Sequence, residues 1–413
     1  AQAWDWCGDP PMRMDAHHLQ HGKPRPQSSL QARFGKILHI STRKCVEEFR
    51  RGSRRGSTSS LGSRDSPDEV VARCIKTVSN FADIYEIGKE VMPSTHSYMK
   101  VSFATRKKDG QEVVVKVRFK PNCFRSREDE RSWRYNTEFL LNLPDNSGVA
   151  RLYEVLEDGK AFYIVMEKVG GMDLFEALEH EGKVAVPMAK DILRQLLGSL
   201  VHLHSHNAVH KDLKLENVML DISPKDEKSP GSVKVIDFDT LEEWTPHSPM
   251  SKDVVGTDQY IAQEAYAGKY SPLSDIFATG VIAYRLLCGK FPFHDDLFDD
   301  EAGENWVGSP KMAQIRRRLK VAKVDFSHSV FRECPQACDL VMRMLAYNEM
   351  QRPSASAALE HPWFQEDDGG SASGSTAKAG RASCWDEDLL DDGIIVAQEA
   401  TVGDDRRQAL LRS

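Results

Sequence analysis

His210-Lys211-Asp212-Leu213-Lys214-Leu215-Glu216-Asn217, followed twenty residues later by Ile236-Asp237-Phe238-Asp239, decides how the rest of the chain is read. Asp212 is a candidate general base and Lys214 a cation able to face a phosphate. Asn217 and Asp237 offer hard oxygen donors of the kind Mg²⁺ accepts. Upstream, Asp109-Gly110 marks a hairpin turn, and Glu112 to Phe119 is β-branched enough to be a buried strand. Lys116 sits inside that apolar run, where an ammonium is costly unless paired, so a functional role is expected of it. Phe162 to Glu167 reads as a second apolar strand, and Met188 to His204 as a helix leading to the His210 loop. Strands thus come first and helices after.

With 413 residues, 40% of them hydrophobic and 28% charged, the chain can build one large folded unit with tails. The longest apolar stretch, Ile276 to Leu287, is broken by Arg285, so no membrane span is expected. Eight cysteines fit neither a zinc spacing nor a disulfide framework, which points to reduced thiols and a cytoplasmic protein. The chain begins at Ala1 rather than methionine, as a fragment or processed form would.

The net charge of -7 conceals an uneven distribution. Residues 1–80 carry 14 Lys/Arg against 8 Asp/Glu, whereas residues 365–413 carry 5 against 11. The stretches 1–65 and 365–413, Ser/Gly-rich and poor in periodic apolar residues, read as a basic and an acidic disordered tail. Between the first tail and the folded unit, residues 66–83 read as an amphipathic helix. Ser66-Pro67 would cap it, and Val70, Val71, Cys74, Ile75 and Val78 would form its apolar stripe.

Further motifs occur in a telling order: Val113-Val114-Val115-Lys116, the 210–217 loop, Asp237-Phe238, Gly256-Thr257-Asp258-Gln259-Tyr260-Ile261-Ala262-Gln263-Glu264, Ser274-Asp275, Arg352, and His361-Pro362-Trp363-Phe364. With them, residues 84–364 resemble a Ser/Thr protein kinase catalytic domain, most similar to the calcium/calmodulin-dependent group. The resemblance implies an α+β, bilobal fold with a small antiparallel β-rich N-lobe and a larger, mainly α-helical C-lobe. It also implies protein substrates, with ATP and Mg²⁺ as cofactors.

By the same resemblance, Asp212 would accept the substrate hydroxyl proton, Lys214 would neutralise the transferred phosphoryl group, and Asn217 and Asp237 would hold Mg²⁺. Thr257 would brace Asp212 and Lys214. Lys116 would meet the α and β phosphates and a helix glutamate, expected at Glu138 from its distance to Leu152, with Glu128 and Glu130 read as solvated. Adenine would lie against Met166, Glu167 and Val169, between Val101, Val114 and Met219. Asp173 falls where the family contacts ribose or a substrate arginine, and Glu216 where it receives another arginine. Two carboxylates there suggest basic substrates; ordinary solvated acids are the alternative. The Asp-Leu-Lys-x-Glu-Asn pattern favours Ser/Thr acceptors.

Departures from the family pattern point to altered control. The phosphate-covering loop, Pro93 to Val101, holds Ser94, His96 and Met99 at its glycine positions, so weaker ATP binding is expected. A kinase-fold interaction module without turnover is therefore the alternative function. Asp239 replaces the glycine of the metal-binding triplet and should stiffen it. Lys211 replaces an arginine that receives an activation-loop phosphate, and Asp253 stands where that phosphate is attached, so an Asp253–Lys211 pair is expected to order the segment. Gln263 replaces a proline, with Glu264 expected to pair with Arg352. The tract Arg50-Arg51-Gly52-Ser53-Arg54-Arg55-Gly56-Ser57 reads as a duplicated basophilic phosphorylation sequence or simply a basic tail. Asp295 to Trp306 has Asp300 and Trp306 where an EF-hand needs glycine and glutamate, and the acidic C-terminal tail is no basic amphipathic target. Neither calcium nor calmodulin binding is expected, nor nucleic acid.

Overall fold

The computed structural model describes residues 72–92, 98–121, 123–221, 231–298 and 304–365. The two tails, the Arg50–Ser57 tract and residues 93–97 of the phosphate-covering loop lie outside them.

The N-terminal part is a six-stranded sheet of β1 (Lys76–Thr77), β2 (Tyr85–Met92), β3 (Met99–Arg106), β4 (Glu112–Phe119), β5 (Leu152–Glu157) and β6 (Ala161–Glu167), in the order β1-β5-β6-β4-β3-β2. The β3–β4 turn forms as its sequence predicts. Gly110 takes φ +72°, and Arg106 donates to the Gln111 carbonyl and accepts from Gly110 N, both at 2.8 Å. Along β4 the pleat sends Val113, Val115 and Val117 into a core with Phe81, Tyr85 and Val165. Val114 and Lys116, one residue out of phase, face the other side of the sheet.

Helix α1 (Arg127–Leu141) starts where Ser126 Oγ accepts Asp129 N at 3.1 Å. Its Leu141 packs with Leu152, Val155 and Ile164. The helix expected over residues 66–83 does not extend through its described part. Lys76–Thr77 instead pairs parallel with Leu156 and Glu157, and only Phe81–Asp83 form a single 3₁₀ turn. Ile75 and Val78 pack into different clusters on opposite sides of the sheet, and Val78 N donates to the Glu157 carbonyl at 2.8 Å. The edge of β5 gives this short β-branched run partners for its backbone groups. Residues 66–71 lie outside the described residues.

The C-terminal part is mainly helical. Helices α2 (Leu174–Glu181), α3 (Val186–Ser205), α4 (Pro272–Cys288) and α5 (Pro310–Val321) are joined by short helices ending at Pro362–Gln365. Leu193, Leu196, Leu197, Leu200 and Leu203 of α3 are fully buried, packed in one core with Ile276, Val281 and Trp363. Helix α4 is closed at its start by a Ser271–Ser274 capping box and at its end by Gly289 at φ +70°. Against this core lie β7 (Met172–Asp173), β9 (Val218–Asp221) and β10 (Ser232–Val235) as one small sheet, and β8 (Ala208–Val209) paired with β11 (Glu242–Glu243) as another. The expected two-lobed α+β architecture is the one observed, with a parallel β1–β5 pair added to the antiparallel sheet.

Candidate active site

The 210–217 loop leaves β8 and enters β9, and its first residues are forced into an unusual backbone. Lys211 has φ +71°, a conformation that costs a non-glycine residue of order 1 kcal/mol or more. Asp275 of α4 holds it there. Its carboxylate accepts His210 N and Lys211 N, each at 3.0 Å, and contacts His204 Nε2 at 3.0 Å. Burial would raise the Asp275 carboxyl, but these hydrogen bonds and the nearby histidines keep it low, so it remains an acceptor.

Asp212 emerges from this clamp with its own supports. Thr257 Oγ1 donates to Asp212 Oδ1 at 2.9 Å and accepts Lys214 Nζ at 2.9 Å, while Lys214 Nζ lies 3.6 Å from Asp212 Oδ2. Asn217 Nδ2 donates to the Asp212 carbonyl at 2.8 Å. Thr257 reaches this position because Gly256 precedes it at φ +115°, where an added Cβ would stand 2.9 Å from the Lys211 carbonyl oxygen. Asp212, Lys214, Asn217 and Thr257 thus meet at one point.

Across the cleft, Lys116 Nζ lies 2.7 Å from Asp237 Oδ1 and 2.9 Å from Asp239 Oδ2, with its side chain 8% exposed. Burial opposes charge on each group, and the ion pair reverses this, raising the ammonium and holding the Asp237 carboxyl down at about 2. Asp237 has φ +59°. The expected pairing of Lys116 with Glu138 does not occur. Glu138 Oε1 accepts Ile75 N at 3.3 Å. The α1 residues that share a cavity of ≈ 260 Å³ with Lys116 include Trp133 and Asn136. Asn136 precedes Glu138 by two residues, about 200° around the helix, so Glu138 lies on a different face from the cavity. Glu130 pairs with Arg134 at 2.9 Å.

The expected Asp253–Lys211 pair is also replaced. Lys211 Nζ bonds Glu242 Oε2 at 2.8 Å and lies 4.6 Å from the centre of the Tyr270 ring. Tyr270 Oη in turn bonds both N and O of Val255. Asp253 pairs with Arg125 at 3.5 Å, and both side chains are exposed. Pairing of β11 with β8 carries Glu242 to Lys211, and Tyr135 of α1 bonds Glu243. No local pattern distinguishes Glu242 from other acids; only the β8–β11 pairing singles it out.

The residues expected to face adenine lie along the sheet and the segment leaving it. Val101 is the register partner of Lys116, and Met166 lies between Val114 and Leu152. Glu167 is fixed by Lys234 Nζ at 2.8 Å and by Arg151 N at 3.0 Å, and Val169 packs on the C-terminal core. Met219 is the register partner of Asp173. Asp173 caps α2 by accepting Glu176 N at 2.8 Å. Burial and the neighbouring charges of Glu176 and Glu216 raise Asp173 to about 6. Burial also raises Glu216, whose Oε2 has no hydrogen-bond partner among the described residues. Glu264 and Arg352 pair as expected, bidentate at 2.7 and 3.0 Å and fully buried. Gln263 bonds the Tyr347 carbonyl and Arg316 in place of a proline's packing.

A family model described as "Protein kinase domain" matches residues 96–364. The chain belongs to the protein kinase family. Its kinase domain is 32% identical over 270 residues to calcium-dependent protein kinase 4 of Plasmodium berghei, covering 65% of this chain and 47% of that protein. It is also 32% identical to calcium-dependent protein kinase 14 of rice (Oryza sativa subsp. japonica), covering 71% of this chain and 52% of the relative. For calcium-dependent protein kinase 34 of Arabidopsis thaliana the identity is again 32%, covering 68% and 50%. The chain spans about half the length of these curated relatives. No helix among the described residues is long and apolar enough to cross a membrane.

Proposed function

We propose that the chain is a cytoplasmic Ser/Thr protein kinase that transfers the γ-phosphate of Mg-ATP to protein hydroxyls near basic residues. The observation that carries this reading is the cluster in which Thr257 joins Asp212 to Lys214 while Asn217 supports Asp212 from the other side. A carboxylate oriented this way can accept a hydroxyl proton as the oxygen attacks, an effect worth roughly 10²–10⁴-fold in rate. Lys214 supplies positive charge beside the transferred group. Asn217, whose amide nitrogen is spent on Asp212, has its oxygen left to offer, and Asp237 stays ionised; this donor set fits Mg²⁺. When bound, the metal neutralises the charge on the β and γ phosphates. Lys116 would meet the phosphates from the sheet side.

The carboxylates Asp173 and Glu216 support a preference for basic substrates. Burial raises both, and at Asp173 the charges of Glu176 and Glu216 add to it; a substrate arginine would offset that cost.

Asp212→Asn keeps the shape and removes the base. With labelled ATP and a mixture of basic peptides, the wild type should incorporate phosphate at least about 10²-fold faster than this variant. Equal incorporation by both would end the kinase reading. It would favour instead a kinase-fold interaction module, the reading that the non-glycine residues Ser94, His96 and Met99 keep open.

A further inference from the structure

Lys116 is an ammonium buried at the back of the cleft, and something must hold it. We propose that Asp239, and not a carboxylate on α1, is the positioning residue that fixes Lys116 for nucleotide. The inference rests on the kinase reading above and adds to it the source of the counter-charge.

Three observations carry it. Asp239 Oδ2 lies 2.9 Å from Lys116 Nζ, and Arg118 Nη2 stands 4.0 Å from the same oxygen, so the carboxylate is itself held. The face of α1 that shares a cavity with Lys116 carries Ser132, Trp133, Asn136 and Thr137, none of them charged. Its one acid, Asp129, is exposed and lies in the first turn, about 10 Å along the helix axis from Asn136. Glu138 is engaged by Ile75 N on another face. Finally, Asp237 is also bonded to Lys116, but the proposed function commits it to the metal. A buried ammonium that lost its only dedicated anion would be strongly disfavoured. Asp239 is the carboxylate that remains for it among the described residues.

A glycine at position 239 would leave Lys116 without that partner. The substitution that departs from the family's triplet therefore compensates for the missing acid on α1. It also means that the position of Lys116 is set by the segment carrying Asp237 and not by the approach of α1.

The test is a double-mutant cycle on binding of a fluorescent ATP analogue with Mg²⁺, together with peptide phosphorylation. Asp239→Asn keeps the shape; Asp239→Gly is a second variant should the first not fold, with each checked by its thermal midpoint. Either should weaken nucleotide binding at least about tenfold in the wild-type background and have no further effect in Lys116→Met. Adding Asn136→Glu to Asp239→Gly should restore part of the loss. Equal weakening by Asp239→Asn in the Lys116→Met background would overturn the proposal, as would undiminished binding by both Asp239 variants. A wild type that binds nucleotide but transfers no phosphate would end the kinase reading while leaving this cycle decisive for Asp239.

Discussion

Asp173 and Glu216 show how much a single carboxylate's environment matters to what it can bind. Asp173, raised to about 6, is ionised above that pH and neutral below it. If it receives a substrate cation, KM for an arginine-containing peptide should rise as pH falls from 7 to 5, whereas KM for a neutral peptide should not. Parallel pH profiles for the two peptides would remove the role in cation binding. Lys211 makes a second case. Its nitrogen is buried and its acid is Glu242, while the Asp253–Arg125 pair is solvent-exposed and worth little. Asp253→Ala should therefore leave turnover and thermal midpoint unchanged. Glu242→Gln should lower both, with a stability loss of roughly 1 kcal/mol, because half of Glu242 faces solvent. The order of the two variants in a thermal melt and a turnover assay checks this. Lys211 was legible as a residue whose control differs from the family's, but its partner was not. Sequence proximity to Gly256 favoured Asp253, and the β8–β11 pairing overrode it.

β1 is the element whose nature the pattern missed, and the residues just before it bond to α1. Arg73 and Asn142 exchange two hydrogen bonds, Arg73 N to Asn142 Oδ1 and Asn142 Nδ2 to the Arg73 carbonyl, each 2.8 Å. Ile75 N bonds Glu138 one turn earlier, and Lys76 pairs with Glu154. Residues 73–78 thus tie the C-terminal end of α1 to β5. Val78→Pro removes the donor that the Glu157 carbonyl accepts at 2.8 Å and constrains the chain, and should destabilise the sheet by about 1–3 kcal/mol. Asn142→Ala should cost less, about 1 kcal/mol, since its partner at Arg73 stays near solvent. Denaturant titrations that rank Asn142→Ala above Val78→Pro in cost would contradict this account of the strand. The strong elements were readable by contrast. β4 appears within its expected bounds, and α3 (Val186–Ser205) extends the expected Met188–His204 helix by a residue or two at each end. Their apolar period is long and needs no help from neighbours. The 75–78 run is too short to declare a period, so the open edge of β5 decided it.

Across the molecule, the groups that would perform chemistry come from segments far apart in the chain: Lys116 from the sheet, Asp212 to Asn217 from the loop after β8, Asp237 after β10, and Thr257 from the segment that Gly256 bends. Their identity was written in local motifs, because a base, a cation and oxygen donors are properties of side chains, and the spacing of such motifs along a shared fold is local too. The bilobal architecture was equally legible, since long apolar periods and turn residues specify strands and helices before any of them pack. Which acid meets which base was not. Lys116 finds Asp239 and not Glu138, and Lys211 finds Glu242 and not Asp253. Both outcomes depend on the phase of a helix or the pairing of two-residue strands. These are fixed only when the sheet edge, the helix face and the buried charge have all been satisfied together, since leaving a buried ammonium unpaired costs more than moving either backbone.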